Sequence, residues 1–337
     1  MLHPRTLARM LTLLALVALL GVALLASGCG RVIGTVTGDK NRPDEVPAAM
    51  APIKIGTLGT EDSLPLWAAE KMGYFGVEGI KSLEIVRFQS AQERDAAFAS
   101  GAIDAFMGDI IAAANLEASG KKVTIATVML GGDQSQGRFG VVVPPKSTVA
   151  DLKALANVPV GTSSATIQEY VLDGLMAEAG VSADQVKVEE VKKVPVRFEL
   201  LMAGKLKAAA LPEPFLTLAE QGGAKLVGDD TRAQKNLSQT TLVFADDYLK
   251  TEGGTETMKG VLGAWDSAAN DINKAPDSYR AMLVDKAGLP KPLADAYKVQ
   301  TYPMAQPPDQ ADVDAVLAWM TAKGYLKVPV TYTDLTQ

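Results

Sequence analysis

Histidine and cysteine are almost absent from this chain, whose 337 residues contain only His3 and Cys29. Both lie in the first 29 residues, so the remainder has neither side chain. Ser-His-Asp and Cys-His catalysis are therefore excluded for the body of the protein. Zinc and most transition-metal sites also lose their usual ligands, and no internal disulfide can form. We accordingly expect no metal, no cofactor and a fold stabilised by packing, although carboxylate chemistry remains open.

An excess of basic residues is also missing. The chain has 33 lysines and arginines against 39 aspartates and glutamates, and its formal net charge is −6. Nucleic-acid-binding domains usually present a basic face, so we expect no nucleic-acid partner. A chain of this length can bury a large core and usually divides into two lobes.

The amino terminus has the pattern of a secretory signal. Arg5 and Arg9 precede an apolar run over residues 10–26, which ends in the sequence LLASGC. A retained membrane helix is the alternative, because the run approaches the roughly 18 residues that span a bilayer. The sequence around Cys29 resembles the lipobox of bacterial lipoproteins, which implies that Cys29 is acylated and anchors the chain outside the cytoplasm. We expect a signal peptide over 1–28 and a Gly-, Pro- and charge-rich linker over 29–52.

Residues 53–109 and 158–213 repeat one order of elements: strand, polar loop, helix, strand, helix, strand. The order predicts βαβ units, parallel strands and two α/β lobes. The alternative is that any two such stretches look alike. Three positions match at offsets of 103 to 105 residues, namely Gly56 with Gly161, Gly101 with Gly204, and Asp109 with Glu213.

Polar loops follow the first strand of each repeat. In open α/β sheets, ligands bind beyond the carboxyl ends of strands, where loops lead into helices. The loop TEDSL at 60–64 and the loop TSSAT at 162–166 occupy such positions. We expect these loops, with Asp109 and Glu213, to converge on a cleft that holds a small molecule.

Several stretches resemble the NitT/TauT group of ABC-transporter substrate-binding proteins. They are KIGTLGTEDSLPLWAAEKMGYFG, ERDAAFASGAIDAFMGD, LMAGKLKAAALPEPF and the terminal DVDAVLAWMTAKGYL. The resemblance implies an α/β, two-lobe type II periplasmic-binding-protein fold, with two mixed or parallel sheets flanked by helices and a cleft between the lobes. It implies a discontinuous first lobe, 53–142 and 240–337, and a second lobe over 143–239. The lobes would close about two crossings.

The first-lobe candidates for ligand contact are Thr60, Asp62, Ser63 and Leu64, together with Asp109. Asp62 or Ser63 could instead simply cap the helix that begins near Pro65. Asp62 in the cleft would favour a ligand with an amine or ring NH.

The second-lobe candidates are Ser163, Ser164, Thr166 and Glu213. Hydroxyl groups before a helix suit sulfonate, carboxylate or phosphate oxygens, although an ordinary N-cap is the alternative. Arg138 is the basic residue that we expect to contact an anionic ligand, and the alternative is that it forms a structural salt bridge.

These observations predict a membrane-anchored, extracytoplasmic solute-binding lipoprotein, monomeric and not an enzyme, that delivers its ligand to an ABC permease and ATPase. A sulfonate or taurine-like solute is ranked first, and a nitrogen heterocycle such as a thiamine precursor or riboflavin-like ring is the alternative. A pyrimidine-precursor synthase would share the fold but uses a histidine, which residues 29–337 lack. A sensory lipoprotein remains a further alternative.

Overall fold

The structure is a computed structural model that describes residues 49–336. The predicted signal peptide, Cys29 and most of the predicted linker lie outside these residues. In the described part, no helix is both long and apolar enough to cross a bilayer.

The first sheet has five strands in the order β2-β1-β3-β10-β4. Strands β1, β2 and β3 are parallel, and β10 runs antiparallel to both β3 and β4. The sheet is therefore mixed. Its strands are β1 (Ile53–Leu58), β2 (Leu83–Phe88), β3 (Ala105–Asp109), β4 (Val123–Leu130) and β10 (Thr240–Ala245).

The second sheet repeats this plan in the order β7-β6-β8-β5-β9. Strand β6 is parallel to β7 and β8, whereas β5 is antiparallel to β8 and β9. Its strands are β5 (Phe139–Val143), β6 (Pro159–Thr162), β7 (Lys187–Glu190), β8 (Ala209–Pro212) and β9 (Lys225–Asp229). The two sheets confirm the predicted fold class.

Helices cover both sheets. Those associated with the first sheet are α1 (Leu64–Met72), α2 (Tyr74–Val77), α3 (Ala91–Ala99), α4 (Ile110–Ala118), α8 (Asp246–Leu249), α9 (Gly254–Lys274), α10 (Arg280–Lys286), α11 (Lys291–Ala294), α12 (Gln310–Ala322) and α13 (Tyr332–Thr336). Those on the second sheet are α5 (Ile167–Glu178), α6 (Val194–Met202) and α7 (Phe215–Gln221). We refer to these assemblies as the first half and the second half.

The chain passes between the halves twice. It leaves the first sheet after β4 and returns to it with β10. The lobe boundaries predicted at 142/143 and 239/240 stay a prediction. Strand β5, which begins at Phe139, forms its ladder entirely within the second sheet.

One predicted helix differs in the structure. The helix predicted to begin near Pro65 is divided into α1 and α2, which are separated at Gly73. Gly73 has φ +77°, a left-handed conformation that closes a helix and that residues with a Cβ rarely adopt. A helix-ending glycine therefore outweighed the helical pattern of its neighbours.

The long helix α9 packs against α1 through its apolar side. Trp265 is the largest fully buried side chain of this helix. Its indole Nε1 donates a hydrogen bond to the carbonyl of Pro303 at 3.0 Å, and its ring meets that of Tyr302 edge-on. Trp265 thus connects Tyr302 and Pro303, which precede α12, to the core of the first half.

Replacing Trp265 with alanine should lower the free energy of unfolding by about 3–5 kcal/mol, because it leaves a cavity and an unpaired carbonyl group. Denaturant unfolding measures the change. Val77→Ala is the matched control, since Val77 is 80% exposed and should change stability by less than about 0.5 kcal/mol. A small effect of Trp265→Ala would contradict the proposed importance of this packing.

Candidate ligand-binding site

A small cavity lies between the halves, at the carboxyl ends of β1, β3, β6 and β8. Its volume of about 40 Å³ has room for roughly three water molecules, since one needs about 10–15 Å³. Both halves contribute charged side chains to its wall. The charged and hydroxyl side chains that carry the argument are Asp62, Arg94, Asp109, Ser163, Thr166 and Arg197.

Arg94, from α3, is the buried cation of the first half, with 1% of its surface exposed. Its Nη1 donates to the carbonyl of Met107 at 2.7 Å. Its Nε and Nη2 donate to Asp95 Oδ1 at 2.9 and 2.7 Å. Its Cζ lies 4.7 Å from the centre of the Phe106 ring, within cation–π range. The charge of Arg94 is therefore already paired.

Arg197, from α6, is the buried cation of the second half and is fully buried. Its Nη1 donates to the carbonyl of Ala210 at 2.9 Å and to Gln168 Oε1. Its Nε and Nη2 donate to the carbonyl of Val191 at 2.9 and 2.7 Å. Within residues 49–336 no carboxylate forms an ion pair with it, and burial lowers its pKa to about 9 against the opposing influence of Glu190.

The two arginines occupy equivalent places in the repeat. Arg94 and Arg197 are 103 positions apart, the same offset as Gly101 and Gly204. The carbonyls that accept their Nη1 groups, on Met107 and Ala210, differ by 103 positions as well. Neither arginine was nominated from the sequence. The internal repeat could have identified both arginines, because each is the fourth residue of the equivalent helix in its half, α3 or α6.

Two carboxylates of the first half line the same cavity. Asp62 accepts a hydrogen bond from the hydroxyl group of Thr60 at 2.6 Å. Burial raises the pKa of Asp62 to about 6, although this hydrogen bond and the charge of Arg94 oppose the shift. Asp109 caps α4 by accepting from the amide of Ala112 at 2.7 Å, and burial raises its pKa as well. In residues 49–336 no group of three or more acidic, histidine or cysteine side chains could hold a metal ion.

Hydroxyl groups of the second half complete the wall. Ser163 Oγ accepts a hydrogen bond from the side-chain amide Nε2 of Gln92 at 2.6 Å, and this contact joins the two halves. Thr166 donates to the carbonyl of Ser163 at 2.7 Å instead of capping α5. The amide of Ile167 at the start of α5 donates to Asp109 Oδ2 at 3.3 Å, so a first-half carboxylate occupies this helix N-terminus.

Five of the nominated residues therefore line the cavity: Thr60, Asp62, Asp109, Ser163 and Thr166. Their contact with a ligand stays a prediction.

Three other nominated residues lie outside this wall. Ser63 Oγ donates to the carbonyl of Leu58 at 3.1 Å and does not cap α1, and Leu64 is fully buried in the core. Ser164 Oγ donates to Glu190 at 2.8 Å. The hydroxyl groups of Ser63 and Ser164 thus donate their hydrogens to other groups of the protein.

Arg138 and Glu213 also lie outside the cavity wall and pair with each other. Arg138 Nη1 lies 3.2 Å from Glu213 Oε1 and 2.8 Å from Glu220 Oε2, and Nη2 lies 3.7 Å from Asp229 Oδ2. Glu213 also accepts from the amide and hydroxyl of Thr217. These contacts match the structural-salt-bridge alternative for Arg138, because its donors face three carboxylates.

Glu61 joins Glu213 at the boundary between the halves. The amide of Glu61 donates to the carbonyl of Glu213 at 3.3 Å, and Tyr297 donates its hydroxyl to the Glu61 carboxylate. The amide of Gln300 donates to Glu61 Oε1 at 2.7 Å. Burial, reinforced by the charge of Glu213, raises the pKa of Glu61 to about 8 despite these hydrogen bonds.

Stability should therefore fall as the pH rises through this range. With a folded pKa raised from an ordinary value near 4.5 to about 8, Glu61 holds a proton that the unfolded chain has lost. The free energy of unfolding should then decrease between pH 7 and 8 by about 1 kcal/mol. Asp62 and Asp230 have pKa values of about 6, so they contribute little above pH 7.

Urea unfolding at pH 7 and pH 8 measures this decrease. Glu61→Gln should remove most of it, whereas Glu252→Gln, at an exposed position, should leave it intact. An unchanged decrease in Glu61→Gln would assign the proton to another group.

A cluster of side chains joins α12 and the residues after it to the first two turns of α5, outside the wall of the cavity. We name it the latch: Glu169, Asp173, Trp319, Lys323 and Tyr325. Lys323 Nζ lies 2.8 Å from Glu169 Oε1 and 2.9 Å from Asp173 Oδ2. Trp319 Nε1 donates to Asp173 at 2.8 Å, and Tyr325 donates to Glu169 at 2.8 Å. The latch therefore connects the two halves through charges and aromatic side chains.

Lys323→Met should weaken the contact between the halves, because it leaves the buried Glu169 without its cation. We expect the Ile167 amide, held by Asp109 across the halves, to exchange its hydrogen about fivefold faster. Peptide-level hydrogen exchange measures this. Lys327→Met is the control at an exposed position. Equal protection in the two variants would show that the latch does not hold the halves together.

Comparisons with known proteins identify the family and the fold. The sequence profile of the NMT1-like family matches residues 47–283, more than half of the chain. No curated protein sequence matches significantly.

Solved structures share the fold. The alkanesulfonate-binding protein SsuA of Xanthomonas axonopodis pv. citri, bound to MOPS, is 18% identical with a TM-score of 0.73, covering 86% of this chain and 99% of that one. The aliphatic sulphonate-binding protein SsuA of Escherichia coli is 16% identical with a TM-score of 0.69, covering 85% and 97%. The nitrate-binding protein NrtA of Synechocystis PCC 6803 is 14% identical with a TM-score of 0.69, covering 84% of each.

The resemblance to NitT/TauT-type substrate-binding proteins is thereby confirmed, and the chain belongs to the NMT1-like family.

Proposed function

We propose that the chain is the extracytoplasmic binding component of an ABC importer and captures a small amino-sulfonate of the taurine type between its halves. It would be anchored by lipid on Cys29 and would deliver the ligand to a permease and an ATPase without chemical change. The observation that carries the ligand class is Arg197, a fully buried guanidinium at the cavity with no carboxylate partner among residues 49–336.

The charges of the cavity suit a zwitterion. On the second half, Arg197 offers a positive charge, which suits a sulfonate group. On the first half, Asp62 and Asp109 suit an ammonium group. A bare anion such as nitrate would meet these carboxylates as like charges, which disfavours it.

The opposite charges that the two halves present to the cavity also give a reason for the halves to close on a ligand. A ligand whose ammonium group contacts Asp62 and whose sulfonate contacts Arg197 makes both contacts only when the halves are together. Its binding free energy then favours the closed state, because only differential affinity shifts such an equilibrium. The latch adds contacts that do not touch the ligand.

A nitrogen heterocycle is the second candidate, since Asp62 and Asp109 could accept hydrogen bonds from ring NH groups. A neutral ring, however, leaves Arg197 without an opposite charge. The amino-sulfonate therefore fits the cavity better.

Arg197→Lys should weaken the binding of both taurine and ethanesulfonate by at least about 30-fold, because a lysine cannot make the hydrogen bonds to Val191 and Ala210 that hold the positive charge of Arg197 at the cavity. Isothermal titration of the full chain in lipid nanodiscs measures both affinities. Arg232→Lys is the matched control, since the Arg232 side chain is 83% exposed. Unchanged affinity in Arg197→Lys would remove Arg197 from the site.

Asp62→Asn tests the ammonium contact separately. It should weaken taurine by about tenfold, because one charge pair is lost, while ethanesulfonate, which has no ammonium group, should bind no more weakly. Asp285→Asn is the control, at a side chain that is 74% exposed. Failure of the wild-type chain to bind taurine at millimolar concentration would contradict the proposed ligand class.

A further inference from the structure

A second, larger cavity adjoins the small one. Its volume is about 370 Å³, within the range of about 300–1,000 Å³ that is usual for sites of organic ligands. The two cavities share Leu58, Thr60 and Val194 in their walls, so this second space, which we call the groove, begins where the arginine cavity ends.

The wall of the groove is mainly apolar and aromatic. Phe88 comes from the end of β2 in the first half, whereas Phe198 and Phe215 come from α6 and α7 in the second. The rings of Phe198 and Phe215 lie 5.8 Å apart and are tilted by 54°. Leu218 also lines the groove. Polar groups, including Arg87 and Glu199, lie on exposed residues of the same wall.

Both halves build the groove, so closure forms it at the same time as the charged cavity. The Arg87 Nη1 group donates to the carbonyl of Lys286 at 2.7 Å, which fixes this part of the wall. An apolar space with a few polar groups, open beside a charged cavity, matches a ligand that has one charged end and one apolar end.

We propose that the groove takes an aromatic substituent of the ligand, so that the substrate class is an amino-sulfonate with an aryl or arylalkyl group on its nitrogen rather than taurine itself. This inference rests on the proposed function, because it assumes that the amino-sulfonate part occupies the cavity at Arg197. The substituent leaves the cavity past Leu58 and Val194 and packs against Phe88, Phe198 and Phe215. Aromatic rings pack favourably against such a wall.

The experiment compares taurine with N-benzyltaurine by isothermal titration of the full chain in lipid nanodiscs. N-benzyltaurine should bind at least about tenfold more tightly, since its ring leaves water on binding. Phe198→Ala should reduce this ratio of affinities about tenfold by removing aromatic surface from the wall. Met72→Ala, at a side chain that is 52% exposed and outside the groove, should leave the ratio unchanged.

A second variant fills the groove instead of enlarging it. Gly59 lines the groove, and a Cβ there would meet the Lys286 carbonyl oxygen at 3.4 Å and Arg87 Cδ at 3.7 Å, which are ordinary contacts. Gly59→Leu should therefore be tolerated by the fold and should lower the affinity ratio by obstructing the ring.

The outcomes separate the inference from the function on which it rests. If taurine binds and N-benzyltaurine binds equally or more weakly, the groove is not a subsite, and the proposed function stands. The same holds if neither Phe198→Ala nor Gly59→Leu changes the ratio. If neither compound binds, the proposed ligand class is wrong, and the inference is overturned with it.

Discussion

The cavity depends on the burial of two guanidinium groups at the ends of parallel strands. A cation removed from water is unfavourable unless its donors are satisfied. Arg94 and Arg197 meet this condition through the carbonyl groups of Met107 and Ala210, which follow from the same βαβ geometry in each half. Because the backbone supplies these acceptors, the positive charge of Arg197 is held without a neutralising carboxylate. An anion can therefore supply the missing charge.

The repeat is symmetric in structure but not in charge, and this asymmetry gives the site its direction. Beside Arg94 lie Asp95, Asp62 and Asp109, whereas Arg197 has only the more distant Glu190. The first half therefore presents net negative charge to the cavity and the second half net positive charge. A ligand with two opposite charges fits in one orientation only, and the same orientation connects the halves.

The fold was largely predictable, because the order of strands and helices and the glycines that end helices can be read from short stretches of the sequence. Gly73 shows the limit of pattern reading, since its left-handed conformation divides a predicted helix. The site was predicted only in part. Asp62 and Ser163, chosen for their strand-end positions, line the cavity, and their contact with a ligand stays a prediction. Strand-end position could not tell that Arg138 would face three carboxylates. Whether a charged side chain is free or paired depends on neighbours that are distant in sequence.

Under the proposed function, affinity and selectivity depend on different parts of the molecule. The latch joins α12 to α5 with charges and aromatic rings that do not line the cavity, so it sets how readily the halves close for any ligand. The cavity charges decide which ligand gains most from closure. Because α5 carries latch residues at Glu169 and Asp173 and begins beside the cavity at Ile167, it links the two effects. A change in the latch therefore shifts all affinities together, whereas a change at Arg197 or Asp62 alters their order.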